Sequence, residues 1–258
     1  MKNIVITGAS SGIGAALAHH LGRLGHNLVL ASRRAPTLNA VAHEVQSHVV
    51  TVCTDVTRRS DVNRLCDEAI RAFGVIDVWV NNAGRGITRP VLELTDQEFD
   101  EMMEVNVKSA LYGMQAVVPH FMARGQGHLI NISSFLGRVP IATHRSAYNA
   151  AKAALNALTA NLRVDLSRTY PQIRVSTVMP GLVSTDFARN ALGSSSASAP
   201  PWTPGSAMKP QTAEEVAEAI AGVIEHPVAE VYTNPASAPM AQRYFEDVGA
   251  FEAETARP

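Results

Sequence analysis

Ile4-Val5-Ile6-Thr7-Gly8-Ala9-Ser10-Ser11-Gly12-Ile13-Gly14 opens the chain, and its reading decides how everything after it is organised. Ile4 to Ile6 is a short β-branched apolar run, the pattern of a strand buried on both faces of a parallel sheet. A glycine-rich turn follows. From Ala15 onward, Leu17, Leu21 and Leu24 recur at helical spacing until Gly25 closes the segment. A strand, a glycine-rich turn and a helix in that order build an anion site. Glycines let the backbone approach a phosphate, and the helix N-terminus offers free N–H groups and the positive end of its dipole. Glycines alone would equally suit an ordinary turn. Their position directly after the first strand points to a nucleotide, cradled by Gly8, Ser10, Ser11, Gly12, Ile13 and Gly14.

The remainder of the chain continues the alternation. Asn27–Ser32, Val49–Cys53, Asp77–Val80, His128–Ser133, Arg174–Met179 and Val231–Thr233 read as further strands. Between them, Thr37–Gln46, Val62–Phe73, Asp96–Arg124, Ser146–Arg168 and Thr212–Glu225 read as helices; Thr95/Glu98 and Thr212/Glu215 have capping-box spacing. The pattern predicts an α/β doubly wound parallel sheet of about seven strands with helices on both faces, in which ligands bind outside the carboxyl ends of the strands. With 258 residues, 46% of them hydrophobic, one domain over residues 1–258 is expected.

Composition excludes several functions. A net charge of -1 provides no basic field for nucleic acid or an anionic membrane surface. No apolar run reaches the roughly 18–20 residues that cross a bilayer, and the N-terminus enters its first strand without a leader pattern, so a soluble cytoplasmic protein is expected. Cys53 and Cys66 lack metal-ligand spacing and are expected as buried free thiols. The nine histidines form no H-E-x-x-H pattern, and no metal site is expected.

Two stretches carry further chemistry. An acidic residue at the end of the second strand would bind a ribose hydroxyl and repel a 2′-phosphate; Ser32-Arg33-Arg34 stands there instead. Arg33 can pair with a phosphate and Arg34 can stack or add charge, which predicts NADP(H) over NAD(H), although two solvated surface arginines would look the same. Tyr148-Asn149-Ala150-Ala151-Lys152 places a phenol and an ammonium on one helix face. The cation is expected to lower the phenol pKa and so suit it to moving a proton at a carbonyl or alcohol oxygen; alone, the pair could also be a surface pair.

The glycine spacing G-x-x-x-G-x-G at Gly8, Gly12 and Gly14, with Asn81-Asn82-Ala83-Gly84, Asn106 to Ser109, Ile132-Ser133-Ser134, Tyr148 to Lys152, and Pro180 to Thr185, resembles the non-extended type of the short-chain dehydrogenase/reductase family. The likeness covers about Lys2 to Val231. It implies an NADP(H)-dependent oxidoreductase that interconverts a small-molecule carbonyl and alcohol. In that likeness Tyr148 is the general acid/base and Ser134 holds the substrate oxygen, with Ser133 as a minor alternative. Lys152 grips the nicotinamide ribose and tunes Tyr148, and Asn106 binds a water that connects the lysine to solvent. Asn81 braces the sheet, while Asn82, Ala83 and Gly84 line the adenosine ribose. Asp55, followed by Val56, accepts from the adenine amino group; a helix cap near Ser60 is its other reading. Pro180, Gly181, Val183 and Thr185 orient the carboxamide.

Two departures stand out. The 14-residue interval from Ser134 to Tyr148 is one longer than usual in the family, which reads as an insertion around Pro140 to Arg145. The polar, acidic tail from Pro235 lacks the family's glycine-rich end, so of the homodimer or homotetramer that the resemblance implies, a dimer is favoured. Residues 187–210 correspond to a substrate-covering loop, where Trp202 either contacts the ligand or pins the lid. Charges there are few beyond Arg189 and Lys209, which predicts a mainly apolar substrate. A nucleotide-sensing protein without turnover is the other class open to the sequence. An extended-type epimerase or dehydratase fits the glycine spacing and length less well.

Overall fold

A computed structural model of the chain describes residues 1–187, 190–193 and 209–255. Seven strands, β1 (Asn3–Thr7), β2 (Asn27–Ser32), β3 (Val49–Cys53), β4 (Val78–Asn81), β5 (Gly127–Ile132), β6 (Ile173–Met179) and β7 (Glu230–Tyr232), form one sheet in the order β3-β2-β1-β4-β5-β6-β7. Each neighbouring pair is parallel. The order reverses where β1 lies between β2 and β4, which opens a crevice above the carboxyl ends of the strands.

Period-two alternation puts each strand into two cores. Ile4 and Ile6 of β1 and Leu28 and Leu30 of β2 face one side, against Leu17 and Leu21 of α1 (Gly12–Arg23) and Val216 and Ile220 of α7 (Ala213–Glu225). Val5 and Val29 face the other, against Leu65 of α3 (Arg59–Phe73), Phe121 of α5 (Ser109–Arg124) and Leu155 of α6 (Ser146–Ser167). Burying each such side chain stabilises the fold by roughly 1.5–3 kcal/mol, so shifting one strand by a single residue would expose a whole row. The remaining helices are α2 (Ala35–Glu44), α4 (Asp96–Met103), α8 (Ser237–Glu246) and α9 (Val248–Thr255). Both capping boxes form: Thr95 accepts from Glu98 N–H and Thr212 from Glu215 N–H, and each glutamate bonds back.

Two expectations are corrected, and the tail gains a structure. The helix expected over Asp96–Arg124 is interrupted by a π-helical turn, Glu104–Lys108, where Ser109 N–H bonds the Glu104 carbonyl five residues back. Cys53, the last residue of the edge strand β3, is exposed; only Cys66 is buried, and that burial raises its thiol to about 11. The tail after Pro235 is helical: Met240, Ala241 and Tyr244 of α8 and Phe251 of α9 pack on Phe135, Val139 and Ile141. Arg189 and Trp202 lie outside the described residues. Among those described, no helix is long and apolar enough to cross a membrane.

Candidate active site

The first half of the rim is built from backbone. Gly8 stands at φ +68, and a Cβ there would lie 2.8 Å from Ala83 Cα. A Cβ on Gly14 would lie 2.4 Å from the Gly8 carbonyl oxygen and 2.6 Å from Asn82 Nδ2. The glycine turn and the Asn82-Ala83 segment thus touch with no room for a methyl group. Thr7 Oγ1 accepts from Asn82 N (3.0 Å) and Ala83 N (3.1 Å), and Asn82 Nδ2 donates to the Thr7 carbonyl (2.9 Å). Asn81 braces the sheet, donating to Asn131 Oδ1 (2.9 Å) and accepting from Trp79 Nε1 (2.7 Å). Ser11 is the extended N-cap of α1, makes no capping bond, and no acid sits in the first turn. The N–H groups around Gly12, Ile13 and Gly14 therefore form an electropositive end. Thr185 closes the cradle: a Cβ on Gly12 would meet its Cγ2 at 3.5 Å.

At the end of β2, the buried Ser32 hydroxyl has no hydrogen-bond partner among the described residues. Arg34 Nη2 donates to Ser10 Oγ (3.2 Å) and Ser11 Oγ (3.0 Å), while Arg33 is exposed. Asp55 accepts from the Thr57 amide (3.1 Å) and hydroxyl (2.7 Å). Burial would raise the Asp55 carboxyl, but the Thr57 bonds, then Arg33 and Arg58, hold it below its ordinary value. Asp55 is not a helix cap: α3 has Arg58 at its N-cap and no side-chain capping bond. Val56 is buried beside it.

The second half is built from side chains. Ser134, just beyond β5, accepts from Leu136 N (3.1 Å) and lies close enough to the Tyr148 phenol to lower its pKa. Ser133 instead donates to the Lys152 carbonyl (3.3 Å), so Ser134 is the serine that faces the tyrosine. Lys152 Nζ donates to the Ile132 carbonyl (2.9 Å) and lies 5.7 Å from the centre of the Tyr148 ring. Both side chains are buried. A Cβ on Gly84 would lie 2.9 Å from Asn106 Oδ1 and 3.6 Å from Lys152 Nζ, which joins the Asn81–Gly84 segment to this group. Asn106 sits in the π turn with its side chain engaged: Nδ2 donates to the carbonyls of Arg85 (2.9 Å) and Met102 (3.1 Å), and Oδ1 accepts from Arg85 N (3.2 Å). Beyond β6, the Pro180 carbonyl accepts from Phe135 N (2.8 Å), and Gly181 leads into Val183, which bridges Gln211.

Burial dominates the electrostatics and corrects one expectation. It pushes the Tyr148 phenol up to about 12, against the opposing pull of Ser134 and the Arg145 charge. It pushes Lys152 down to about 8. The phenol is not brought below its ordinary value here, because desolvation outweighs the pull of its neighbours. Arg145 and Phe187, whose ring meets the Tyr148 ring edge-on at 5.5 Å, join this cluster without having been singled out in the sequence.

A parallel sheet with this strand reversal, a glycine cradle at its crevice and helices on both faces is a Rossmann-type nucleotide-binding fold. Residues 2–194 match the short chain dehydrogenase family, and the chain belongs to it: an oxidoreductase of the short-chain dehydrogenase/reductase type. An uncharacterized oxidoreductase of Staphylococcus epidermidis is 36% identical over 184 residues, spanning 71% of this chain and 79% of that protein. A short chain dehydrogenase from Burkholderia cenocepacia J2315, solved in complex with NADP, superposes with a TM-score of 0.80 at 29% identity over 99% of this chain and 97% of that one. A short chain dehydrogenase/reductase from Burkholderia phymatum, in complex with NAD, gives 0.82 at 27% identity over 96% and 94%. Similar folds therefore accept either nucleotide, and the choice falls to local residues.

Proposed function

We propose that the chain interconverts a small-molecule carbonyl and alcohol with NADP(H), using Tyr148 as general acid/base. The observation that carries this reading is the neighbouring Ser134 and Tyr148, both buried at the strand rim with the buried Lys152 one helical turn away. Reduced nicotinamide, when bound, supplies hydride to the carbonyl carbon. A phenol near 12 keeps its proton at neutral pH, so Tyr148 can donate it to a carbonyl oxygen. Ser134 holds that oxygen beside the phenol. Lys152 supports the nicotinamide ribose, and the π turn at Asn106 supports proton resupply.

The dinucleotide fits the residues present. Gly8 and Gly14 of the cradle admit no Cβ, the α1 N-terminus is uncapped, and the buried Ser32 hydroxyl lacks a partner among the described residues where an adenosine ribose would lie. Gly8, Ser10, Ser11, Gly12, Ile13 and Gly14 would hold the pyrophosphate; Asn82, Ala83 and Gly84 the ribose; Asp55 and Val56 the adenine; Pro180, Gly181, Val183 and Thr185 the carboxamide. Arg33 favours the 2′-phosphate of NADP(H), while Arg34, bonded to Ser10 and Ser11, supports the cradle that either nucleotide meets.

The test is NADPH oxidation with a panel of aldehydes and ketones, followed by Tyr148→Phe. The variant is expected to lose about 10²–10⁴-fold in kcat while binding NADPH unchanged. Undiminished turnover would overturn the role of Tyr148. NADPH binding with no turnover of any carbonyl would favour the sensing protein instead.

A further inference from the structure

Arg145 is the N-cap residue of α6, three positions before Tyr148, and its guanidinium is half-buried. Its Nη1 donates to the Ile87 carbonyl (3.1 Å). A Cβ placed on Gly86 would be 3.0 Å from that Nη1 and 2.8 Å from Phe187 Cε1, and the Phe187 ring lies edge-on to Tyr148. The guanidinium, the phenylalanine and the phenol therefore gather at one place. The arginines nearby are neutralised: Arg85 pairs with Glu101 at 2.5 Å and Arg89 with Glu98 at 3.0 Å. Arg145 has no carboxylate partner among the described residues, and the sequence of residues 194–208 contains no Asp or Glu.

A guanidinium has five N–H donors in a planar fork; removing it from water without a counter-charge is costly. We infer that Arg145 is a specificity-determining residue that binds a carboxylate carried by the substrate next to its reacting carbon, making 2-oxo and 2-hydroxy acids the preferred class. The inference rests on the oxidoreductase reading of the same site. It revises the expectation of a mainly apolar substrate. That expectation weighed only the covering loop, whereas this cation comes from the start of α6. A planar carboxylate matches the fork with two parallel bonds, and its carbonyl would stand within reach of the Ser134–Tyr148 pair.

The experiment compares kcat/KM for a set of 2-oxo acids and their neutral 2-oxo amides, with NADPH, in the wild-type chain, Arg145→Gln and Arg145→Lys. The wild type should prefer the acids. Arg145→Gln should reduce the acid-to-amide ratio about 100-fold, and Arg145→Lys should restore part of it. Calorimetry with oxamate, an unreactive 2-oxo acid mimic, should show the same order of affinities without turnover. If Arg145→Gln slows acids and amides by one common factor, or the wild type turns over amides as well as acids, Arg145 does not read a carboxylate and this inference fails while the carbonyl–alcohol reading stands. Absence of turnover with every carbonyl would remove the reading and this inference together.

Discussion

The two halves of the rim are made of different material. On the β1–β3 side the site is backbone: glycines packed to within a methyl group of Ala83 and Asn82, and amides at the start of α1. On the β5–β6 side it is side chains: Ser134, Tyr148, Lys152 and Asn106, each removed from water and each spending polar capacity on the protein. The backbone half is rigid because nothing can be added to it. The side-chain half holds its groups away from water, and burial loosens the lysine's proton and tightens the phenol's. A substitution should therefore fail by collision in the first half and act through charge in the second.

The largest effect tests the collision. Gly14→Ala places a methyl 2.4 Å from the Gly8 carbonyl oxygen, a backbone atom that cannot swing aside. A loss of about 3 kcal/mol in urea unfolding, with nucleotide binding impaired, is expected. Gly222→Ala is the control: nothing lies within 4 Å of a Cβ there, in the helix α7. That change should stabilise by about 0.5–1 kcal/mol through helix propensity. Equal outcomes for the two would show that close approach is not what requires Gly14.

The same division explains what could be read from the sequence. A backbone that must approach another backbone is written as glycine, so Gly8 and Gly14 are visible in one dimension. Tyr148 and Lys152 are visible because one helix sets their separation. The Glu104–Lys108 turn is not, since E-V-N-V-K has ordinary helical character and the extra residue per turn is settled by Asn106 reaching the Arg85 backbone. The terminal helices left a signal, with Met240, Ala241, Tyr244 and Phe251 spaced along a stripe, but polar neighbours and the departure from the family pattern hid it. Arg145 carries no periodic signal; its meaning comes from the carboxylates it does not meet. The Tyr148 shift runs opposite to the expected direction for a related reason. Spacing reports attraction between neighbours, whereas burial is a property of the folded whole.

The next effect sharpens the charge half of the comparison. Lys152→Met should stabilise the chain at pH 7 by about 2 kcal/mol, the relief of a buried ammonium less the bond lost at the Ile132 carbonyl. The folded pKa, about 8, lies below the ordinary 10.5, so the folded chain releases this proton before the unfolded chain does. The wild-type penalty is complete below about 8 and disappears as pH rises toward 10.5. The advantage of the variant should therefore shrink across that window in paired urea titrations. A gain that stays constant from pH 7 to 10 would mean that Lys152 is not a buried charge.

The smallest effect lies where the halves differ least, at the exposed arginines after β2. Arg34 is bonded to Ser10 and Ser11 and so belongs to the cradle. Arg33 is exposed, and its charge is felt by Asp55. If it contacts a 2′-phosphate, Arg33→Asp should raise KM for NADPH about 10-fold while leaving NADH nearly unchanged, and added salt should narrow the difference because the charge faces water. Arg34→Ala should weaken both nucleotides alike, since it releases the serines that either one meets. A common loss for both cofactors in Arg33→Asp would place Arg33 with the scaffold and leave the NADP(H) preference without its main support. A selective loss would show that one side chain, added to a cradle made of backbone, distinguishes the nucleotides that the cradle itself receives equally.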